Sequence, residues 1–586
     1  MDWPSKGCPK KVTCMKPVWP ELHRHDRAGT LGCASAIEVR VVRTVDEVSS
    51  EKLRGGFYSP DVLVDLCLRR SRELLGDRSD LKVLEPTAGD GAFLRGLARS
   101  DIAGRLSSIE AIEILDSEAQ KASSIFAELK LPGAVRSANV LEWHDTTQSK
   151  FDLAIGNPPY VRFQFISPTD KQLALTVGAQ LGIASSAVSN LWIPVFLLSL
   201  QRLVEGGVFS MILPAEFLTG VSAGRVRAWL LANTRHLTVD LFKPGSFPAV
   251  LQEVLVLTGQ KVRERSTEHT KVHFYDHNGG TDHWIHAVSP AAKTWTPYLL
   301  KPKQEAALAA VSSLSGIARL GDEARFTVST VTGANSYFCV NSETVREKNL
   351  DQWALALLPR TRHAPGLTFS REEHEALAAS PAPSWLLSFS ADRAAPSRFP
   401  LANDYIAEGE RAELHNRFKC RVRTPWFRVP VVAPGELLMS KRSGTYPRVI
   451  VNDARAVTTD TIYRGQMLPT STLTARSVAA AFHNSITLLS VETGGRSFGG
   501  GVLELVPSEI SALLIPHAPS AGESLPRLDG FARSSADPEA LVDETDKLLL
   551  KWLPDLEPDA LVLLREARQD LLRRRVIRSF GKFYEE

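Results

Sequence analysis

The residues best suited to chemistry form the tetrapeptide Asn157-Pro158-Pro159-Tyr160, which follows an apolar segment at residues 151–156. The apolar segment predicts a short buried strand, and Asn157 places a planar amide directly at its end. The two proline rings fix the backbone after Asn157, while Tyr160 adds a flat aromatic surface. An amide beside a stacking surface suits a planar amine, so we predict that this tetrapeptide carries the catalytic chemistry.

A second candidate site lies upstream, where an apolar segment ends at Glu85 and enters a turn that contains Gly89 and Gly91. Glycines at these positions let the backbone approach a bound ligand closely. No Gly-Lys-Ser/Thr follows, and the acidic residues Glu85 and Asp90 flank the turn, which disfavours a pyrophosphate. The pattern instead favours a cationic sulfonium donor that also carries an ammonium group.

Two further predicted strands bring polar residues to the same region. The strand after the glycine turn ends at Glu113, which is placed to accept both hydroxyls of a ribose, and the third strand carries Asn139. Strands and helices then alternate to about residue 257, which predicts a doubly wound α/β sheet with ligands at the carboxyl ends of its strands. We therefore expect Glu85, Glu113, Asn139 and Asn157 to converge at one edge.

A helix is predicted to begin just before these strands. Ser59 is a suitable helix cap, Pro60 suits the first helical position, and apolar residues follow with a helical period. The loop before the helix therefore delivers Phe57, Tyr58 and Ser59 to a helix N-terminus.

From about residue 296 the pattern changes to proline-rich turns and short β-like runs. Two segments, 419–428 and 441–448, alternate cations with aromatic rings. Such alternation suits a phosphate backbone and stacked bases, and a solvated basic face is the alternative. The DNA-binding candidates in these segments are Lys419, Arg421, Arg423, Trp426, Arg428, Lys441 and Arg442.

Length and composition indicate a multidomain chain. A chain of 586 residues exceeds one hydrophobic core, and we predict an extension (1–44), an α/β domain (45–295), a second domain (296–515) and a helical region (516–586). The net charge of +3 neither requires nor excludes nucleic acid. Sparse cysteines and the absence of a long apolar run predict a cytoplasmic protein. Three cysteines and two histidines in the extension (Cys8, Cys14, Cys33, His23 and His25) lack the usual zinc spacing, so no metal is expected.

Taken together, these motifs resemble the N6-adenine DNA methyltransferases of type II restriction-modification systems, in the group that the TaqI and Eco57I modification enzymes exemplify. In this group the donor site precedes the Asn-Pro-Pro-Tyr motif and the target-recognition domain follows it. Segments 245–248, 331–338 and 497–505 are also similar to segments of these enzymes. The resemblance implies a class I, Rossmann-like, S-adenosylmethionine-binding domain and a mixed α+β target-recognition domain.

The resemblance also assigns roles to residues. It implies catalysis by Asn157, Pro158, Pro159 and Tyr160, and stacking of a flipped adenine on Tyr160 and Phe247. The donor-binding residues that it implies are Phe57, Tyr58, Ser59, Pro60, Glu85, Ala88, Gly89, Asp90, Gly91, Glu113, Ile114, Asn139, Asn157 and Pro159. One departure concerns Asn139, where the family usually has Asp as acceptor for the donor's adenine amine. An amide oxygen still accepts that bond, and its NH2 group has a ring nitrogen as acceptor.

Two alternative functions remain open. Related Asn-Pro-Pro-aromatic enzymes methylate RNA guanine N2 or protein glutamine, and a non-catalytic DNA-binding subunit would also retain the fold. The long region after the catalytic domain favours duplex DNA as the partner. With no acid-acid-Lys nuclease pattern in the sequence, the expected functional partner is a separately encoded restriction endonuclease, and we expect the methyltransferase itself to be a monomer.

Overall fold

The structure is a computed structural model that describes residues 59–184, 188, 190–220, 223–242, 253–262, 270–278, 280–498 and 501–576. Several predicted residues lie outside this part of the chain. They are Phe57, Tyr58, Phe247 and the cysteines and histidines of the N-terminal extension.

The first half of the described chain forms one nine-stranded sheet. Its strands are β1 (Leu81–Glu85), β2 (Leu106–Glu113), β3 (Gly133–Ser137), β4 (Phe151–Gly156), β5 (Leu203–Pro214), β6 (Thr234–Leu241), β7 (Val254–Lys261), β8 (Thr270–Asp276) and β9 (Asp282–Val288). Their spatial order is β3-β2-β1-β4-β5-β7-β6-β8-β9. Strands β1 to β5 pair in parallel, and β7 is antiparallel to both of its neighbours, β5 and β6.

Helices alternate with the strands of this sheet. They are α1 (Asp61–Leu75), α2 (Ala92–Arg99), α3 (Asp116–Glu128), α4 (Val140–Thr146), α5 (Pro168–Gln180), α6 (Trp192–Arg202), α7 (Glu216–Thr219) and α8 (Gly224–Asn233). The consecutive β4 residues Leu153, Ala154 and Ile155 are all fully buried. Because neighbouring strand residues point to opposite faces, the sheet must be covered on both sides. This confirms the predicted α/β fold class.

Three local predictions for this half need correction. Strand β3 ends at Ser137, so Asn139 begins the next helix instead of lying in a strand. The apolar run 191–203, followed by Gly206 and Gly207, predicts a helix that these glycines close, but Gly206 lies inside β5, because that strand starts directly after helix α6. Ser59 does not cap α1: Pro60 holds the cap position, and no side chain caps the helix there.

The second half combines short strands and helices, as predicted for a mixed α+β region. Its strands are β10 (Ile317–Arg319), β11 (Ala324–Thr327), β12 (Cys339–Val340), β13 (Ala354–Leu358), β14 (Trp385–Leu387), β15 (Leu437–Ser440), β16 (Arg442–Ser443), β17 (Val449–Val451), β18 (Val457–Thr458), β19 (Ile462–Met467), β20 (Arg496–Phe498), β21 (Val502–Glu504) and β22 (Leu514–Pro516). They form sheets with the orders β11-β19-β15-β17, β12-β14-β13-β18, β16-β21-β20 and β10-β22.

The helices of this half are α9 (Pro302–Ser312), α10 (Leu320–Glu323), α11 (Asn335–Phe338), α12 (Ser342–Glu347), α13 (Arg371–Ala378), α14 (Pro400–Arg411), α15 (Phe418–Arg421), α16 (Ala475–Ala481), α17 (Ser485–Gly494), α18 (Pro507–Ile510), α19 (Leu525–Ser534), α20 (Pro538–Trp552) and α21 (Pro558–Val576). Within the described ranges, no helix combines the length and apolar character that crossing a bilayer requires. The domain boundaries stay predictions.

The last turn of α21 joins the two halves of the chain. Arg574 forms ion pairs with Asp276, at the end of β8, and with Glu253 at 3.7 Å. The next residue, Arg575, binds the carboxylate of Glu492 and donates to the carbonyl of Gly501. Both arginines are largely buried. These contacts fix the nine-stranded sheet to the region that follows it.

Candidate active site

The amide of Asn157 lies at the carboxyl end of β4 and is held by two side chains. The Tyr160 hydroxyl donates to Asn157 Oδ1 at 2.8 Å and also lies 3.1 Å from the carbonyl of Ile212. Asn157 Nδ2 donates to Ser59 Oγ at 3.3 Å. These bonds orient the amide, and Oδ1 retains a second lone pair for a ligand amine.

Tyr160 is 7% exposed, and this burial raises the pKa of its hydroxyl well above the ordinary tyrosine value. The phenol therefore stays neutral and acts as a hydrogen-bond donor to Asn157. Of its neighbours in the tetrapeptide, Pro158 is buried, whereas Asn157 and Pro159 are half-buried and face the accessible side. The stacking role of Tyr160 stays a prediction.

A threonine that the sequence analysis did not single out links the tetrapeptide to the glycine turn. Thr87 Oγ1 donates to the backbone carbonyl of Asn157 at 3.2 Å. Thr87 lies between Glu85, at the end of β1, and the glycines of the turn. The two candidate sites therefore form one continuous site at the carboxyl edge of the sheet.

The glycine turn has the backbone geometry that its sequence predicts. Gly89 and Gly91 have φ values of +54° and +82°, in the left-handed region that favours glycine. The amide of Gly89 donates to Glu113 Oε2 at 2.9 Å, which ties the turn to the end of β2. Asp90 pairs with Arg95 at 2.7 Å, and Ala88 is buried, with its backbone amide bonded to Ile112 and its carbonyl to Gly91.

Glu85 is the most unusual group of the site. It is fully buried, and neither carboxylate oxygen has a hydrogen-bond partner in the described part of the chain. Burial, followed by repulsion from Asp90 and Glu113, raises the pKa of this carboxyl well above its ordinary value, against the attraction of Arg95. An unpaired buried acid fits a cationic ligand, such as the ammonium group of the predicted donor.

Glu113 and Ile114 lie at the end of β2, where the sequence predicts contacts with the ribose and the adenine of a nucleoside. Besides the Gly89 amide, Glu113 accepts the amide of Leu115 at Oε1 over 2.9 Å. Each carboxylate oxygen keeps one lone pair, so acceptance of ribose hydroxyls stays a prediction that this geometry permits. Ile114 is 62% exposed, although it is apolar, and it offers a flat ligand an apolar surface directly beside the carboxylate.

Asn139 uses its amide differently from the prediction. Its Oδ1 accepts the amide of Leu141 at 3.0 Å and so caps α4, and its Nδ2 donates to Asp170 Oδ1 at 2.6 Å. The hydrogen bond predicted from this NH2 group to a ring nitrogen of the methyl donor therefore competes with the bond to Asp170. Sequence reasoning missed Asp170, although Ser167-Pro168-Thr169-Asp170 has the typical sequence of a helix start. The structure thus brings the carboxylate of Asp170 within hydrogen-bond distance of the Asn139 amide.

The DNA-binding candidates fall into three groups. The first group is Trp426, which was predicted to contact DNA but belongs to the hydrophobic core. It is 9% exposed, packs against Tyr337 and Phe338, and donates to Glu410 at 3.2 Å.

Among the cationic candidates, Arg423 donates to two backbone carbonyls, and both Lys441 and Arg442 lie beside Glu504. Lys419, Arg421 and Arg428 are exposed. Only this third group presents cations that are not engaged by nearby acceptors in the described structure. Across the same ranges, no group of three or more His, Cys, Asp or Glu residues is arranged to hold a metal ion.

Comparison with known proteins agrees with this architecture. The profile of the Eco57I restriction-modification methylase matches residues 105–246, and that of the C-terminal domain of the type II methyltransferase M.Eco57I matches residues 292–550. M.AccI of Acinetobacter calcoaceticus is 22% identical over 78% of this chain and 84% of its own length. M.XamI of Xanthomonas campestris pv. amaranthicola is 25% identical, covering 79% and 85%.

Among solved structures, the type IIG restriction endonuclease BpuSI covers 90% of this chain and 67% of its own, with 15% identity and a TM-score of 0.43. The strand order and the polar residues at the carboxyl edge define a class I methyltransferase domain. The chain belongs to the Eco57I family of type II restriction-modification methyltransferases. The resemblance to type II restriction-modification methyltransferases is thereby confirmed, and adenine N6 as the target stays a prediction.

Proposed function

We propose that this methyltransferase transfers a methyl group from S-adenosylmethionine to the N6 amine of adenine at a specific site in duplex DNA. The observation that carries the proposal is the Asn157 amide, oriented by Tyr160 and Ser59 and tied by Thr87 to the glycine turn. The amide acceptor of Asn157 and the glycine turn proposed to bind the donor are thus adjacent. Protection of host DNA from a separately encoded endonuclease is the biological role we propose.

The amine of adenine is a weak nucleophile because its lone pair is delocalised into the ring. Asn157 Oδ1 and the Pro158 carbonyl each accept one N6–H, which favours a tetrahedral nitrogen with a localised lone pair. Bound S-adenosylmethionine supplies the electrophilic methyl group. The contribution of the protein is positioning and electrostatic preorganisation, and no covalent enzyme intermediate is needed.

Residues at the carboxyl edge would hold the donor. Glu85 would bind its ammonium group, Glu113 its ribose hydroxyls and Ile114 its adenine ring. Each assignment matches a property of the residue within the described chain: Glu85 is a buried acid without a hydrogen-bond partner, Glu113 is an acid with free lone pairs, and Ile114 is an exposed apolar side chain. The glycine turn leaves room for close approach of the backbone.

The target base must leave the duplex to reach Asn157, which costs a few kcal/mol of unstacking. Stacking against Tyr160 would offset part of this cost, and Phe247 is the second ring proposed for the same purpose. The length of the region after the catalytic domain and the names of its relatives, which are type II methyltransferases, favour DNA over RNA or protein as substrate.

The test is methylation by the purified protein, followed by mass spectrometry of the digested product. With labelled S-adenosylmethionine and genomic DNA from an unrelated bacterium, we expect N6-methyladenine in one sequence context. Total ribosomal RNA and glutamine-containing peptides serve as competing substrates in parallel reactions. Methylation of RNA or peptide without methylation of DNA would refute the proposal.

Asp170 provides a second test, directed at donor binding. We infer that its carboxylate serves the donor's adenine amine in place of the usual acid at position 139, since it lies 2.6 Å from Asn139 Nδ2. A hydrogen bond to a charged group is worth about 1.5–3 kcal/mol, so Asp170→Asn is expected to weaken S-adenosylmethionine binding about tenfold or more in calorimetric titration.

A charge swap makes this test specific. Asn139→Asp alone places two carboxylates in contact and should also weaken binding, whereas the double variant Asn139→Asp/Asp170→Asn restores one acid and one amide. We expect the double variant to bind more tightly than either single variant. If the two single effects simply add in the double variant, an acid at position 139 does not replace Asp170, and if Asp170→Asn alone leaves the affinity unchanged, Asp170 has no role in donor binding.

A further inference from the structure

Two large apolar side chains stand exposed on one short segment of the second half. Phe418 begins helix α15 and is 63% exposed, and Val422 directly follows the helix and is 67% exposed. Residues four apart lie on the same side of a helical turn, so the two side chains form one patch. We call Phe418 and Val422 the apolar tip.

Cations surround the apolar tip. Arg417, Lys419 and Arg421 are exposed, and the charged ends of Lys419 and Arg421 each lie 5.4 Å from the centroid of the Phe418 ring. None of these three cations forms an ion pair with a carboxylate in the described ranges. An apolar centre with unpaired cations around it is complementary to a partner with apolar faces and a dense anionic rim.

Burial, hydrogen bonds and close backbone packing hold the segment that carries the apolar tip in place. Cys420 is fully buried between the two tip residues, and the Arg423 guanidinium donates to the carbonyls of Thr332 and Val331, each at 2.7 Å. Gly333 has a φ of +81°, and a Cβ there would lie 2.7 Å from Lys419 Cβ. The close approach of these backbones fixes the tip, so its exposure does not arise from a loose loop.

We propose that the apolar tip is a wedge that enters the base stack of a DNA duplex while Arg417, Lys419 and Arg421 bind the flanking phosphates. The proposal rests on the proposed function, which makes duplex DNA the substrate. Base pairs offer apolar faces and the backbone offers closely spaced anions, which matches the charge pattern of the tip. Apolar side chains inserted between base steps unstack them, and this would lower the cost of extruding the target base.

The test compares Phe418→Ala with Val562→Ala, which truncates a 54% exposed residue of α21. Substrates are a duplex that contains the mapped methylation site and the same duplex with a mismatch opposite the target adenine, which is already weakly stacked. On the matched duplex we expect Phe418→Ala to lower kcat/KM about tenfold or more, and on the mismatched duplex to lower it much less. Equal losses on both duplexes, or a loss no larger than that of Val562→Ala, would overturn the wedge.

A second measurement follows the cations and does not depend on methyl transfer. Replacing Lys419 and Arg421 by Gln removes two proposed phosphate contacts, so the slope of log Kobs against log salt should become shallower by about 2. Lys551→Gln, an exposed lysine of α20, is the matched control. An unchanged slope would contradict phosphate binding by these cations. A shallower slope in a protein that does not methylate DNA would support DNA binding at the apolar tip and reject the proposed function instead.

Discussion

Asn157→Ala is expected to lower the methylation rate of duplex DNA by a factor of about 1,000 or more. Removing a single preorganised polar group that acts on the transition state typically costs about 10²–10³ in kcat, and here the lost group also orients the amine itself. DNA binding should change little, because the extruded base is the only part of the DNA that this side chain is proposed to contact. The measurement is single-turnover transfer of labelled methyl groups at saturating donor and DNA.

Two variants separate this effect from a general disturbance of the site. Tyr160→Phe keeps the ring but removes the 2.8 Å bond to Asn157 Oδ1, and a loss of about tenfold is expected from one hydrogen bond. Asn403→Ala changes an exposed asparagine on α14 and should leave the rate unchanged. If Asn157→Ala retained more than about a tenth of the wild-type rate in single turnover, the proposed catalytic role would be wrong.

Glu85→Gln is expected to weaken S-adenosylmethionine binding between about tenfold and 150-fold. Within the described residues the buried carboxylate has no hydrogen-bond partner, and a charge-assisted bond to the donor's ammonium is worth about 1.5–3 kcal/mol. Glutamine has nearly the same shape, so the loss would report the charge. Calorimetric titration of the purified variant measures it without reference to activity.

The same substitution should change the dependence of stability on pH. The pKa of Glu85 is raised in the folded protein. At pH values between the ordinary carboxyl pKa and the raised value, the folded protein therefore binds more protons than the unfolded protein. The free energy of unfolding of the donor-free protein therefore falls with rising pH across this window, by at most about 1.4 kcal/mol per pH unit for one group. Glu85→Gln removes this decline and should be the more stable protein at neutral pH.

Donor binding should show the opposite dependence on pH. A bound ammonium favours the ionised carboxylate, so the affinity of the wild type should rise with pH through the raised pKa, while that of Glu85→Gln stays flat. Glu128→Gln, an exposed substitution of the same kind on α3, is the matched control. A variant that binds the donor as tightly as the wild type at every pH would show that Glu85 does not hold the ammonium.

The features that could be predicted from the sequence alone are those that depend on residues within one short segment. The strand that leads into Asn157, the turn with Gly89 and Gly91, and the alternation of strands and helices depend on neighbouring residues and on the spacing of apolar side chains. These features led to the α/β fold class and to the family, both of which the structure and the comparisons confirm. The roles of the individual site residues stay predictions.

Tertiary structure decided which side chains meet and which remain exposed. Ser59 and Asp170 reach Asn157 and Asn139 from elements far away in the chain, and no local pattern encodes such contacts. Trp426 and Phe418 lie in one aromatic and basic segment, yet the first is buried and the second exposed. Alternation of rings and cations identifies such a segment, but burial depends on what the rest of the chain packs against it. The sequence was therefore sufficient to predict the fold class and the family, whereas the hydrogen-bond partners and the burial of each group depended on the fold.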